Sequence, residues 1–324
     1  MGILTVGEAL ACLVPEGGTI AETGRFVQSF GGAELNTAIG LARLGNSVAW
    51  ASRVGTDALG HKLMDVLAHE GVDTSLVLRA EGEQTALMLK ERVTPDESRV
   101  SYYRGNSAAS RMQPGDVSAA SIRAASWLHV TGVTLAIGSG VRQLMFEVVQ
   151  TAAESGVPVS FDPNFRPRLI ARAEARSVSR ALLPYVTHML CNEEEAVSIS
   201  GSEDAFDSAK AIADLGPQVV IVKRGARGAV AVVDDRLYEQ AAWPVERPVD
   251  PVGAGDAFNA GWLHSQLHGM GVRPGLGLAS FVAAKVVEHR GDYEGFPDLE
   301  QAETWQAETS GARPSATHAT APRT

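Results

Sequence analysis

The chain has 324 residues, 45% hydrophobic and 20% charged, the balance of a globular protein long enough to bury a large core. Its formal net charge of −10 argues against general binding to phosphate backbones, so positive charge used on an anionic ligand has to be local. The two cysteines, Cys12 and Cys191, lie far apart and form no CxxC pair; they offer neither a disulfide framework nor a zinc site, and read as small core residues of a cytoplasmic protein.

From Met1 the chain enters Ile3-Leu4-Thr5-Val6 directly, with no basic segment ahead of a long apolar run, so no signal peptide and no membrane span are expected. Short apolar runs at 3–6, 48–52, 127–131, 157–161, 188–191 and 219–222 predict buried strands. Helical patterns at 36–44, 59–70, 141–154 and 206–215 lie between them. This alternation predicts an α/β fold with a parallel sheet covered on both faces. Residues 10–30 and 85–104 break the rhythm: they are strand-like, with no helical pattern between their strands. Leu87, Leu89 and Glu91 alternate with Met88, Lys90 and Arg92, a period of two that suits a sheet with one exposed face. Both segments read as a small β lid, or else as ordinary edge hairpins. Residues 309–324, rich in Ala, Thr, Ser and Pro without periodicity, are expected to be disordered.

The strongest local signal is Asp250-Pro251-Val252-Gly253-Ala254-Gly255-Asp256-Ala257-Phe258, followed by a helical pattern. Glycines ahead of a helix let main-chain N–H groups approach an anion, and the helix N-terminus adds partial positive charge. Gly253, Ala254 and Gly255 would cradle a migrating phosphoryl group. Asp256 beside them is expected to stay ionised and to receive the acceptor's proton; the plainer reading is a turn with Asp256 as helix cap. The loop is not a Walker A motif, and no GxGxxG follows the first strand.

Gly31-Gly32-Ala33-Glu34-Leu35-Asn36 sets a second glycine pair before a helix; Gly32 and Asn36 are substrate candidates, or a tight turn with a buried Asn. In Phe161-Asp162-Pro163-Asn164-Phe165-Arg166-Pro167, Arg166 follows a strand's C-terminal end, where it can pair with a carboxylate unless it is a solvated surface residue. Period-two spacing puts Tyr102 and Arg104 on one face of the lid and Tyr103 on the other, facing a cleft or a plain sheet surface. Asn192-Glu193-Glu194-Glu195 follows a strand, and its carboxylates could organise Mg²⁺ and water, or simply start a helix. Lys223-Arg224-Gly225-Ala226-Arg227-Gly228 follows another strand; Gly225 and Gly228 could admit nucleotide phosphates beside Lys223, or form a hairpin turn.

In this order the segments resemble the PfkB, or ribokinase-like, carbohydrate kinase family. The resemblance rests mainly on Gly31-Gly32-Ala33-Glu34-Leu35-Asn36 and Asp250-Pro251-Val252-Gly253-Ala254-Gly255-Asp256, and covers roughly residues 1–298. Within the family the likeness is to 2-keto-3-deoxygluconate kinases, through Tyr102-Tyr103-Arg104, the 161–167 segment and Arg290-Gly291-Asp292-Tyr293-Glu294-Gly295. The resemblance implies a three-layer α/β sandwich with a mostly parallel central sheet and a small β-sheet lid. It implies a kinase domain over 1–298, a lid from about 9–32 and 81–104, and a mostly disordered C-terminal end at 299–324. It further implies transfer of the ATP γ-phosphate to a sugar hydroxyl with Mg²⁺. Asp256 matches the family's base, Gly253, Ala254 and Gly255 its anion hole, and Asn192 and Glu195 its Asn-x-x-Glu element, with Glu195 the metal candidate. Gly32, Tyr102, Arg104, Arg166 and Asp292 match substrate-holding positions. Members often bind K⁺ near the second signature; K⁺ is left open here. Two departures stand out: Pro251, where many members have Thr, removes an N–H donor, and Met88 replaces a Tyr found in some members of the branch.

The expected reaction is phosphorylation of 2-keto-3-deoxygluconate, with Arg104 and Arg166 neutralising its carboxylate. A fructokinase is the related reading, and the sequence discriminates against it only through those two arginines. A non-catalytic sugar-acid sensor is disfavoured by the presence of Asp256, and an NAD-dependent oxidoreductase by the missing glycine fingerprint. The lid's exposed face suggests a homo-oligomer, and no nucleic-acid or membrane partner is expected.

Overall fold

The computed structural model describes residues 2–94 and 97–311. The chain opens with β1 (Ile3–Val6), passes through β2 (Leu10–Pro15) and β3 (Phe26–Gly31), and returns by α1 (Ala33–Arg43) to β4 (Val48–Gly55). Helix α2 (Ala58–His69) and β5 (Val77–Ala80) precede a second hairpin, β6 (Ala86–Thr94) and β7 (Glu97–Tyr103). Then come α3 (Ala119–Ala124), β8 (Trp127–Thr131), α4 (Gly132–Leu135), α5 (Ser139–Glu154), β9 (Val159–Asp162), α6 (Arg172–Leu182), β10 (His188–Asn192), α7 (Glu193–Ser200), α8 (Ala205–Ala213) and β11 (Val219–Lys223). An antiparallel hairpin, β12 (Ala229–Val233) and β13 (Arg236–Gln240), leads to α9 (Ala254–Leu267), α10 (Val272–Val287) and α11 (Leu299–Gly311).

The large sheet has nine strands in the order β13-β12-β11-β10-β9-β8-β1-β4-β5, parallel from β11 to β5. Its strands are apolar on both faces because both are covered. In β11, Val219 and Ile221 enter the core layer beneath α1, α9 and α10, whereas Val220 and Val222 enter the layer beneath α5 and α8. The alternating pattern predicts this two-sided cover, and the whole is the three-layer α/β sandwich that the family resemblance implies. The lid is a separate four-stranded sheet, β3-β2-β6-β7, with Leu10, Cys12, Ala86 and Met88 buried on one face.

Boundaries move in places. The first helix starts at Ala33 rather than 36, directly against Gly32, and the strand expected at 157–161 runs from Val159 to Asp162. The end of the chain is a correction: residues 299–311, assigned to a mostly disordered end, form α11. Its Ala302 and Trp305 are buried, and Trp305 lies 5.6 Å from Phe281 and 6.0 Å from Trp243 between ring centres. Two apolar side chains seated in an aromatic cluster outweigh the helix's weak amphipathic pattern. The tail expected at 312–324 lies outside the described residues. Among the described residues no helix is long and apolar enough to cross a membrane. Cys12 and Cys191 are buried free thiols.

Candidate active site

The parallel strands β8, β9, β10 and β11 end at Thr131, Asp162, Asn192 and Lys223, and β1 is followed by Gly7 and Glu8. The site gathers outside these carboxyl ends, where an open α/β sheet places its ligands. The cradle is the first turn of α9. Gly253 is its N-cap at φ 80°, and a β-carbon there would stand 2.1 Å from the Asp292 carbonyl oxygen. Both the left-handed conformation and the close approach therefore require glycine. The Ala254 N–H is taken by the Pro251 carbonyl at 3.3 Å, while those of Gly253, Gly255 and Asp256 have no acceptor among the described residues. The free donors overlap the Gly253–Gly255 expectation and extend to Asp256.

Asp256 is 8% exposed, the second residue past Ala254 on α9. Its Oδ2 accepts from Asn36 Nδ2 at 2.8 Å, and its Oδ1 lies 3.5 Å from Asn164 Nδ2. The sequence argued for an ionised, weakly basic carboxylate. Burial instead pushes its pKa up to about 7; the Asn36 hydrogen bond opposes this, Asp162 adds to it, and Arg166 and Lys223 pull it down. A group poised there is a competent general base at neutral pH.

Beneath the cradle lies a buried network in which the sequence reading had assigned no role to Asp162 or Asn259. Lys223 Nζ donates to Asp162 Oδ2 at 2.7 Å and to Asn259 Oδ1 at 3.1 Å, and Asn259 Nδ2 donates to Asp162 Oδ2 at 2.7 Å. Burial works against the Lys223 charge, yet Asp162 and Glu195 hold its pKa above the usual lysine value. Its Nζ lies 3.6 Å from where a Gly255 β-carbon would be, so a fixed cation backs the anion cradle. Asn259 had a readable signal, since it follows Asp256 by three positions and shares its helix face. Asp162 had none beyond its place at a strand end.

The remaining nucleotide-side expectations divide. Asn192 caps α7, accepting from the Glu195 N–H at 2.9 Å. Glu195 has a structural role: one carboxylate oxygen accepts from the Asn192 N–H at 2.8 Å and the other from the Phe165 N–H at 2.7 Å. Burial, and Asp162 next, raise its pKa. Glu195 is thus a clasp between α7 and the loop that carries Arg166. Among the described residues no three His, Cys, Asp or Glu side chains converge to hold a metal ion. Gly225 is exposed with open space at its α-carbon. Gly228 serves the hairpin, because a β-carbon there would meet the Gln240 carbonyl oxygen at 2.0 Å.

On the lid side, Tyr102 and Arg104 share one face, as the period of two predicts, and Tyr103 points outward at 61% exposure. Arg104 is not a free charge: it is buried in an ion pair with Glu8, its guanidinium 5.5 Å from the Tyr102 ring centre. Arg166 is exposed; its recorded hydrogen bond is to the neighbouring Phe165 carbonyl, and its charge reaches both Asp256 and Asp292. Asp292 is buried, its pKa raised to about 6 by burial against the opposing charge of Lys90. Lys90, on lid strand β6, donates to Asp250 at 2.8 Å and lies 3.9 Å from Asp292. Gly32 packs on the Glu8 carbonyl, with 2.3 Å from that oxygen to a would-be β-carbon. Met88 is buried with Cys12 and Leu10 inside the lid. Glu8 and Lys90 carried no local sequence signal; only the folding of lid onto body brings them in. Asp256, Asn36, Arg166, Asp292 and the cradle therefore come together, Arg104 joins through Glu8, and Gly228 stays apart.

The sequence profile of the "pfkB family carbohydrate kinase" matches residues 2–299. A protein of Bacillus subtilis (strain 168) named 2-dehydro-3-deoxygluconokinase is 32% identical over 301 residues, 92% of this chain and 93% of its own. The crystal structure of a PfkB protein from Polaromonas sp. JS666 superposes with a TM-score of 0.86 at 34% identity, covering 94% of this chain and 99% of that one. A fructokinase from Xylella fastidiosa, solved with bound ATP, superposes with a TM-score of 0.85 at 26% identity, covering 95% and 99%. These matches, with which the glycine cradle, the buried carboxyl and the lid agree, make the chain a member of the pfkB family of carbohydrate kinases.

Proposed function

We propose that this sugar kinase transfers the γ-phosphate of Mg-ATP to the 6-hydroxyl of 2-keto-3-deoxygluconate, also called 2-dehydro-3-deoxygluconate. The observation that carries the reading is Arg166, an exposed cation at the end of β9 whose charge reaches both Asp256 and Asp292. A sugar acid offers it a carboxylate, which a neutral sugar does not. The name of the Bacillus relative supports the same substrate.

In this reading the 6-hydroxyl gives its proton to Asp256 as the new O–P bond forms and the bond from the γ-phosphorus to the β–γ bridging oxygen breaks, releasing ADP. The N–H groups of Gly255 and Asp256, with Lys223 behind them, offset charge on the moving phosphoryl oxygens. Gly32, Asn36, Tyr102, Arg104 and Asp292 line the sugar side; Asn192, Lys223 and Gly225 line the nucleotide side. Mg²⁺ arrives with the nucleotide, because the chain lacks a carboxylate cage of its own among the described residues. The Asp250 carboxylate beside the cradle is held by Lys90 and the Val252 N–H. The outer lid face, where Phe26 and Tyr103 are exposed, takes a second copy of the chain.

A fructokinase is the second reading, supported by the Xylella structure and by the fact that Glu8 already neutralises Arg104. Measuring ADP release with 2-keto-3-deoxygluconate, fructose, ribose and adenosine separates the readings. The sugar acid should give the highest kcat/KM. A preference for fructose would replace the proposal, and binding without ADP release would make the protein a sensor.

A further inference from the structure

Glu8 lies on the turn between β1 and lid strand β2 and is 1% exposed; its partner Arg104 is 8% exposed. Ser107 Oγ donates to Glu8 Oε1 at 3.2 Å, and the Glu8 main-chain oxygen packs on Gly32, so the pair sits beside the turn where α1 begins. Arg104 Nη2 pairs with Glu8 Oε2, while Arg104 Nε has no hydrogen-bond partner among the described residues. A buried guanidinium donor left unmet is costly, and the cost is relieved when an acceptor arrives. Tyr102 lies over the same guanidinium and limits its reorientation.

We propose that Glu8 is an internal stand-in for the substrate carboxylate: it balances Arg104 in the empty site, gives up that role when a sugar acid binds, and so sets the preference for anionic over neutral sugars. The inference deepens the sugar-acid reading and rests on it. A neutral sugar leaves the Glu8–Arg104 pair balanced. A carboxylate arriving at the unmet Arg104 Nε places two negative charges on one guanidinium, and one of them has to be neutralised. Glu8 is suited to this, because burial holds its pKa up at about 7 against the pull of Arg104 and the Ser107 hydrogen bond. A second anion raises it further, so the sugar acid binds together with a proton taken from solvent onto Glu8. Arg104 is the one charged group that acts on Glu8 among the described residues. Asp256 and Asp292 also titrate near neutrality, with Arg166, Lys223, Asp162, Lys90, Asp250 and Glu294 around them, so the Glu8 contribution has to be read by difference.

The test is calorimetric binding of 2-keto-3-deoxygluconate, and of fructose for comparison, to the full chain without nucleotide at pH 7.5. Two buffers of different ionisation enthalpy report the protons exchanged. The wild type should take up protons with the acid and not with fructose. Glu8→Gln should bind the acid about tenfold more tightly, the size of a one-unit pKa coupling, and take up fewer protons. Glu8→Asp should restore the uptake. Equal or weaker acid binding by a Glu8→Gln protein that melts like the wild type, with proton uptake unchanged, overturns the inference and leaves the sugar-acid reading intact. Failure of the wild type to bind the acid at all takes down both.

Discussion

Two effects compete at Asp256. A helix N-terminus favours the carboxylate anion, whereas removal from water favours the protonated acid. With 8% exposure and Asp162 nearby, desolvation wins and the group titrates at about 7. As a base it acts only after losing its proton. The kcat/KM for the sugar should therefore rise as pH increases through about 7, and a profile flat from pH 6 to 8 would separate Asp256 from the proton transfer. Asp256→Asn removes the base while keeping the shape and an acceptor for Asn36. Turnover should fall by about 10² to 10⁴, the usual span for general acid–base catalysis, with sugar affinity in calorimetry largely retained. A variant with near-wild-type kcat would assign the base elsewhere.

At the scale of elements, the site is an agreement between segments distant in sequence. Helix α1 delivers Asn36 to Asp256 from one end, and from the other Arg43 donates to the carbonyls of Tyr293, Glu294 and Phe296, holding the loop that carries Asp292. Glu195 fixes the Arg166 loop to α7 in the same way. The lid joins this frame through Lys90, whose ammonium sits between Asp250 and Asp292. Removing one partner of a buried pair leaves the others uncompensated. Lys90→Met should loosen the lid: KM for the sugar should rise by about tenfold, equivalent to about 1.4 kcal/mol, and ATP hydrolysis without sugar should increase as water gains access. Wild-type KM and no extra hydrolysis would show that the lid closes without this bridge.

Across the whole molecule, a net charge of −10 coexists with a site for anionic ligands because the useful cations are local: Lys223 and Arg104 are placed singly against buried carboxyls, and Arg166 is exposed. The nine-stranded sheet is covered on both faces; the lid is covered on one. Its outer face presents Leu13, Leu89 and the exposed Phe26 and Tyr103, an apolar surface that a second copy would bury. Light scattering should find a dimer or larger assembly for the wild type, and Tyr103→Glu, which sets a charge at that face, should shift it toward monomer. An unchanged assembly in the variant, or a monomeric wild type, would rule the lid out as the interface.

The strand runs, the two helix-initiating glycine segments and the period-two lid were legible in the sequence because each is a local pattern: apolar alternation sets a strand's faces, and a glycine marks a turn wherever it occurs. Asp256 and Arg166 could be named for the same reason, since a helix start and a strand end are positions within a single segment. What the sequence could not hold was the partner of each charge. Glu8 with Arg104, Lys90 with Asp250, and Lys223 with Asp162 are separated by 61 to 160 residues, and the Phe165 N–H that holds Glu195 comes from 30 residues away. Helix α11 was missed because its amphipathic pattern is weak and its stability comes from one tryptophan packed against Phe281 and Trp243. Local preference is encoded residue by residue; desolvation and charge pairing, which decide what a carboxyl does, depend on what the fold brings beside it.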